Sequence, residues 1–333
     1  MKRVLMIGTG GTIASEMTEK GYAPELTADK LLSYVPDISG ICRVDCRQIF
    51  NLDSTNLTPA HWVEMARTIR ENYSDYDGFV ISHGTDTMAY SAAALSYLIQ
   101  NSPKPIILTG SQKPIGSETT DSKTNLRDSF ICAASGRLSG VLIVFNGKVI
   151  MGTRARKTHS KSFQAFSSIN YPFIAVLQDG ILMQYIDTKP DQGPVFYDRL
   201  NTRVGLVKMI PGTDPNLISY MLEHNDALLI ESFGVGGLPN YEGADFYSII
   251  KEAVREGKTV LVTTQVQHEG SDLTVYRVGH RLKKELSILE AYDMTTEAAV
   301  AKLMWVLGQS DDPERIRELF YRPVAHDILS TMK

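Results

Sequence analysis

Three short apolar runs and one stretch of mixed polarity in the first 110 residues each stop at a cluster of glycine, hydroxyl or carboxylate residues. Val4-Leu5-Met6-Ile7 leads into Gly8-Thr9-Gly10-Gly11-Thr12, and residues 43–50 into Asn51-Leu52-Asp53-Ser54-Thr55. Residues 78–82 lead into His83-Gly84-Thr85-Asp86-Thr87, and residues 105–109 into Gly110-Ser111-Gln112. Short apolar runs bounded by turn residues read as buried strands. Helical patterns separate them. Thr58-Pro59 opens one whose Trp62, Ala66, Ile69 and Tyr73 share a stripe; others span residues 88–100 and 125–135, and a fifth strand follows at 141–145. This alternation predicts βαβ units and a parallel sheet. Parallel strands bring their C-terminal ends to one edge, so the four polar clusters are predicted to meet in one crevice.

The alternation pauses at residues 187–203, which are polar and hold two prolines and a glycine, and then resumes. The expected organisation is an N-terminal α/β domain over residues 1–186, a linker over 187–203 and a C-terminal domain over 204–333. The fold class is α/β: a larger, mainly parallel, doubly wound sheet followed by a smaller α/β domain. In the second domain, strands are expected at 204–210, 227–233 and 259–264. Helices are expected at 217–223, 245–256, 295–307 and 313–319. Residues 15–29 lack periodicity and contain Tyr22, Gly21 and Pro24, so they read as a mobile loop of the kind that closes over a site. Residues 151–162, with Arg154, Arg156, Lys157 and His159, read as a basic strand or turn.

Composition narrows the function classes. A net charge of -4 with 22% charged and 43% hydrophobic residues gives no electrostatic footprint for nucleic acid or for an anionic membrane surface. The apolar run after Lys2-Arg3 stops at Gly8, too short for a secretory h-region of about 7–15 residues, and no stretch approaches the ~18 apolar residues of a membrane span. Cys42 and Cys46 are four residues apart on one probable strand, about 13 Å, which is too far for a disulfide. With Cys132 they read as core thiols in a reducing compartment, and no cysteine or histidine pairing completes a zinc pattern. The cytoplasm is the expected location, with no metal or cofactor.

The glycine stretch at the N-terminus is not a dinucleotide fingerprint, because Ile13 stands where the third glycine belongs, and no Gly-Lys-Ser/Thr closes a phosphate loop. On local pattern alone it is either an ordinary tight turn or a turn that lets backbone approach a ligand.

Taken together, Gly10-Gly11-Thr12-Ile13-Ala14 and His83-Gly84-Thr85-Asp86-Thr87 resemble the two signatures of the L-asparaginase/glutaminase family. Asp53-Ser54, Asn125-Leu126-Arg127, Arg156-Lys157-Thr158, Gly234-Val235-Gly236, Thr264-Gln265 and Tyr292-Asp293-Met294-Thr295 agree with it along nearly the whole chain. The Asp293-Met294-Thr295 run and the missing leader look like the cytoplasmic type I branch. The resemblance implies amide hydrolysis through a covalent acyl-enzyme. Thr12 matches the nucleophile and Tyr22 the loop tyrosine beside it, with Thr85, Asp86 and Lys157 the second catalytic group. Gly11, Asp53, Ser54, Thr55, Gly84, Thr85 and Asp86 match substrate-binding positions. The implied substrate is L-asparagine, and the implied assembly is a homodimer or homotetramer. Some bacterial type I enzymes carry a regulatory asparagine site built on an arginine and a cysteine; Glu231 and Val266 stand at those positions here, so that regulation is not expected.

The chemistry of these residue types agrees. A threonine hydroxyl is a poor nucleophile until activated. A lysine beside a carboxylate can relay protons, glycine-loop N–H groups can stabilise an oxyanion, and carboxylates meet a substrate ammonium. Local alternatives exist for each residue: Thr85-Asp86 as a helix N-cap, Lys157 solvated, Tyr22 on the surface, His83 as a bonded strand-end histidine. Two other functions share parts of the pattern. The amidase component of an archaeal tRNA-dependent amidotransferase shares the hydrolase core but carries an added N-terminal domain, and an amino-acid sensor would keep the carboxylates without needing Thr12 or Lys157.

Overall fold

A computed structural model describes residues 1–18, 21–239 and 245–329. The chain divides into two compact units, Met1–Asp198 and Arg199–Lys333.

The first unit opens with β1 (Arg3–Gly10), seven of whose eight residues are buried. A hairpin of β2 (Ser15–Thr18) and β3 (Gly21–Pro24) follows, then α1 (Ala28–Ser33). β4 (Arg43–Leu52), α2 (Pro59–Glu71), β5 (Gly78–Ser82) and α3 (Met88–Leu98) come next. β6 (Ile99–Gln100), β7 (Pro105–Thr109), α4 (Ser122–Ala134) and β8 (Gly140–Phe145) continue the alternation. The unit ends with the short strands β9 (Lys148–Met151), β10 (Ala155–Lys157), β11 (Phe166–Ser168), β12 (Ala175–Gln178), β13 (Ile181–Gln184) and β14 (Val195–Phe196). Among the described residues, one sheet has the order β13-β12-β9-β8-β7-β5-β1-β4. The strands from β4 to β8 in that order pair parallel, and β9, β12 and β13 add antiparallel.

This order fixes where a ligand can sit. β1 lies between β4, the next parallel strand in the chain, and β5, the one after. The chain therefore moves outward from β1 on one side and returns on the other, and the crevice of an open α/β sheet forms where that reversal occurs. Thr12 lies just beyond the end of β1, and Thr85 follows β5 by three residues.

The second unit has β15 (Val204–Lys208), α5 (Pro215–His224), β16 (Ala227–Ser232), α6 (Phe246–Arg255), β17 (Thr259–Thr264), α7 (Arg277–Glu285), β18 (Leu289–Glu290), α8 (Thr296–Gln309) and α9 (Pro313–Tyr321). Its four strands, among the described residues, pair parallel in chain order. Leu228, Ile230, Val260 and Val262 alternate into a core that Ile218, Leu222, Phe246 and Ile250 close from α5 and α6. Thr295 caps α8 by accepting the Ala298 N–H at 3.1 Å.

Two readings change. Residues 15–29 are not a plain loop: Ser15–Thr18 pairs antiparallel with Gly21–Pro24, and α1 begins at Ala28. Four-residue strands of mixed polarity are too short to show a period. The base of the hairpin is tied back where Glu25 and Leu26 donate N–H to the Ala14 carbonyl at 3.0 and 2.9 Å, and buried Leu26 anchors it. Within residues 187–203, Val195–Phe196 is a strand paired antiparallel with Ile99–Gln100. Cys42, Cys46 and Cys132 are free thiols. Among the described residues, no helix is long and apolar enough to cross a membrane.

The loop after β7 is held by the start of α4. Buried Asn125 donates from Nδ2 to the Gly110 carbonyl at 3.0 Å and accepts the Asn146 N–H on Oδ1 at 2.8 Å, so one amide staples the ends of β7 and β8. Asn125→Ala leaves the buried Gly110 carbonyl and the part-buried Asn146 N–H without that partner. A fully buried group left so costs about 1–3 kcal/mol and a part-buried one less, so unfolding free energy from chemical denaturation should fall by about 1–4 kcal/mol; a change under about 0.5 kcal/mol contradicts the staple.

Candidate active site

The site is built where the loops after β1, β4, β5 and β7 come together. Gly10 and Gly11 both have positive φ, 100° and 80°. A Cβ on Gly10 would stand 2.5 Å from the Leu52 backbone, and one on Gly11 only 2.3 Å from the Gly84 nitrogen. Real side chains do not tolerate such distances, so glycine is required for the β1 loop to lie against the β5 loop. The Thr9 hydroxyl reinforces the contact by donating to the Ser82 carbonyl at 2.7 Å. Thr12, half-buried, begins a single 3₁₀ turn, Thr12–Ala14, directly beyond Gly11.

Gly84 is pinched from the other side as well. A Cβ there would meet Ser54 Oγ at 2.6 Å, and Thr87 Oγ1 donates to the Ser54 carbonyl at 2.8 Å. Ser54 is buried, whereas its neighbours Asp53 and Thr55 are exposed. Asp53 Oδ1 accepts both the Thr55 N–H at 2.9 Å and its hydroxyl at 2.8 Å. That arrangement fixes the carboxylate at the end of β4 with Oδ2 outside those two bonds.

Lys157 supplies the cation. It ends β10, whose pairing with β11 sets Lys157 opposite Phe166, a buried ring packed edge-on to Phe145 at 5.1 Å. From there Nζ donates to Thr85 Oγ1 and to Asp86 Oδ1, both at 2.7 Å. Thr85 is buried, and the Lys157 side chain is only 17% exposed against 59% for Asp86. A half-exposed pair adds little to stability; its consequence is placement of a hydroxyl, a carboxylate and an ammonium within one hydrogen bond of each other. The resemblance in sequence implies Thr85, Asp86 and Lys157, and the fold brings them together.

Sequence reasoning misses Gln112 as an individual residue. Thr85 Oγ1 donates to Gln112 Oε1 at 3.2 Å, while Gln112 Nε2 donates to the Ser162 carbonyl at 3.1 Å. The Gln112 backbone N–H is held by both oxygens of Asp121, at 3.1 and 3.0 Å. Burial raises the Asp121 carboxyl above its ordinary range, and the N–H donors oppose that rise. A lone Gln after a strand carries no chemical signature, so only the folded distance identifies it.

Four further outcomes concern predicted residues. The Gly11 N–H donates to the Leu52 carbonyl at 2.9 Å, so this N–H serves the loop and not an oxyanion. Tyr22 lies on β3 with its backbone opposite Met17; its side chain lies outside the described residues. His83 is fully buried and bonded on both ring nitrogens, to the Gly84 carbonyl at 2.6 Å and to Ser91 Oγ at 2.8 Å. In the second unit, Glu231 is buried and accepts the Thr296 hydroxyl at 2.6 Å, whereas Val266 is exposed.

Comparison with known proteins agrees along the chain. Residues 3–189 match the family model described as asparaginase, N-terminal, and residues 203–320 match the glutaminase/asparaginase C-terminal domain. The L-asparaginase of Thermococcus kodakarensis is 40% identical over 98% of this chain and 99% of its own. The solved structure of that thermostable enzyme superposes with a TM-score of 0.91, at 39% identity over 99% of this chain and 100% of that one. L-asparaginase I from Vibrio cholerae gives a TM-score of 0.87 at 30% identity, covering 98% and 99%. A glutamyl-tRNA(Gln) amidotransferase component from Pyrococcus furiosus is 35% identical over 98% of this chain and 76% of its own length. With both of its domains matched and full-length L-asparaginases at this level of identity, the chain belongs to the asparaginase family of enzymes.

Proposed function

We propose that this protein hydrolyses L-asparagine to L-aspartate and ammonia through an ester on Thr12. The observation that carries the reading is Lys157 Nζ, 2.7 Å from both Thr85 Oγ1 and Asp86 Oδ1, in the crevice that also receives the Gly11-Thr12 loop. Thr12 Oγ attacks the side-chain amide carbon, and its proton passes to the departing nitrogen. The C–N bond breaks, ammonia leaves and an aspartyl ester remains. Water held by Thr85 then attacks the ester, the C–O bond breaks, and a proton returns to Thr12 Oγ.

The two threonines differ in setting. Thr85 sits beside the Asp86 carboxylate, whose charge opposes an alkoxide there, and the Lys157 cation that would offset it is shared with that carboxylate. Thr12 has no adjacent carboxylate and follows two glycines. Thr12 is therefore the attacking group, with Tyr22 assisting from the hairpin, and Lys157 moves protons at Thr85. Asp86 Oδ1 is engaged by Lys157, which leaves Oδ2 for the substrate ammonium alongside Asp53. Ser54 and Thr55 meet the α-carboxylate, with Gly11 and Gly84 forming the floor. The same reading makes the protein a cytoplasmic homodimer or homotetramer; the free thiols suit a reducing compartment.

The amidotransferase relatives motivate a second reading, an amidase that supplies ammonia to a tRNA-bound substrate. A substrate panel separates the two. Purified protein should release ammonia from asparagine with no added metal, insensitive to a chelator, and at a kcat/KM about 10–200-fold above that for glutamine, the worth of one methylene in a fitted site. Release only from glutamine, or only in the presence of charged tRNA, favours the second reading; no release from either amide sinks both.

Lys157→Met keeps the length of the side chain and removes the charge. Loss of proton relay is worth about 10²–10⁴-fold, so kcat should fall by that factor, and Thr12→Ala should show no turnover above background. Wild-type turnover by Lys157→Met, measured by coupled ammonia assay, contradicts the assignment.

A further inference from the structure

Directly behind Thr85 lies a chain of hydrogen bonds that the mechanism does not use. Trp62 on α2 donates from Nε1 to Ser91 Oγ on α3 at 2.9 Å. Ser91 Oγ stands 2.8 Å from His83 Nε2, and His83 Nδ1 stands 2.6 Å from the Gly84 carbonyl. Ser91 and His83 are completely buried, and Trp62 is 6% exposed.

The direction of every bond in this chain follows from its two ends. A backbone carbonyl only accepts, so Nδ1 carries hydrogen and donates to it. Burial pushes the imidazole down to about 4, so the ring is neutral at ordinary pH and has one hydrogen to place. Nε2 is therefore an acceptor, and the Ser91 hydroxyl hydrogen must point to it. That leaves a Ser91 lone pair for the Trp62 N–H, which can only donate. All the groups are satisfied in this arrangement. The opposite tautomer sets a ring lone pair against the Gly84 carbonyl oxygen.

We propose that His83, fixed as its Nδ1–H tautomer through Ser91 by Trp62, is a positioning residue that holds the Gly84 carbonyl and thereby aims Thr85 and Asp86 at Lys157. Gly84 has contacts on its other faces, with Gly11 and with Ser54 Oγ, so the carbonyl is the remaining handle on this residue. Thr85 follows it directly, and a 2.7 Å bond from Lys157 tolerates little displacement. The inference rests on the reading of Thr85, Asp86 and Lys157 as reacting groups, and it adds a residue that touches no substrate.

The test uses two amide substitutions. Asn at this position places its Nδ2 near the place of His Nδ1, so His83→Asn keeps a donor for the Gly84 carbonyl. His83→Gln reaches toward Ser91 and loses that donor. Loss of one neutral hydrogen bond to the loop predicts a kcat about three- to tenfold lower in His83→Gln, with KM unchanged within about twofold and kcat largely restored in His83→Asn. Equal losses in the two variants, or a loss confined to KM, overturn the positioning role.

A second measurement needs no turnover. Side-chain nitrogen NMR of the unmutated protein, labelled at histidine, should show His83 as the Nδ1–H tautomer, with shifts constant from about pH 5 upward. An Nε2–H signature, or titration near the ordinary histidine value, overturns the proposal. Backbone amide shifts of Thr85 and Asp86 should move in His83→Gln and stay near wild type in His83→Asn. If the ring and amide signals behave as stated while neither amide substrate releases ammonia, the asparaginase reading fails and the positioning geometry stands.

Discussion

The site depends on one contact, backbone against backbone, between Gly11 and Gly84. Everything polar in the crevice is hung from it. Thr12 and Thr85 each follow one member of the pair, and Ser54 closes on Gly84 from the end of β4. The contact exists because β1 and β5 are parallel neighbours, with Gly8 opposite Ser82, so that both chains leave the sheet at the same edge. The glycines have no side chain to hold the loops apart, and one of them takes a positive φ that other residues adopt only at a cost. Strand order thus decides which residues meet, and glycine decides how closely.

Around that contact the polar groups are held from several directions at once. Lys157 reaches Thr85 and Asp86 from β10, Gln112 receives the Thr85 hydroxyl from the β7 loop, and Asp121 and Asn125 fix that loop from the start of α4. A hydroxyl with both a donor and an acceptor in place loses little freedom when a reaction begins. The cationic and anionic members stay partly exposed, where a small polar substrate can reach them.

Much of this is legible in the sequence, for identifiable reasons. The parallel strands are short apolar runs bounded by glycine and polar clusters, and β5, β7 and β17 lie where the pattern puts them. The convergence of Asp53–Thr55, Gly84–Thr87 and Gly110–Gln112 follows from parallel geometry alone, while Lys157 enters only by resemblance. The antiparallel additions β9, β12 and β13 escape a sequence reading, because strands of four residues carry too little periodicity. The hairpin of β2 and β3 resembles a loop for the same reason, and Pro24 at its end strengthens the wrong reading. Gln112 and the Trp62–Ser91–His83 chain are invisible in sequence, since their meaning lies in distances between separate elements. The Gly11 N–H looks free for an oxyanion in sequence, and only the fold shows its bond to Leu52.

The central claim is that the reaction passes through an ester on the threonine after β1, with the threonine after β5 serving the water. Rapid acid quench during turnover of asparagine, followed by peptide mass spectrometry, reads this directly. In the unmutated protein and in Thr85→Val, an aspartyl adduct is expected on the peptide containing Thr12, accumulating further in the variant because its hydrolysis is slowed. An adduct mapped to Thr85, or a Thr85→Val protein that turns over at the wild-type rate with no adduct on Thr12, contradicts it.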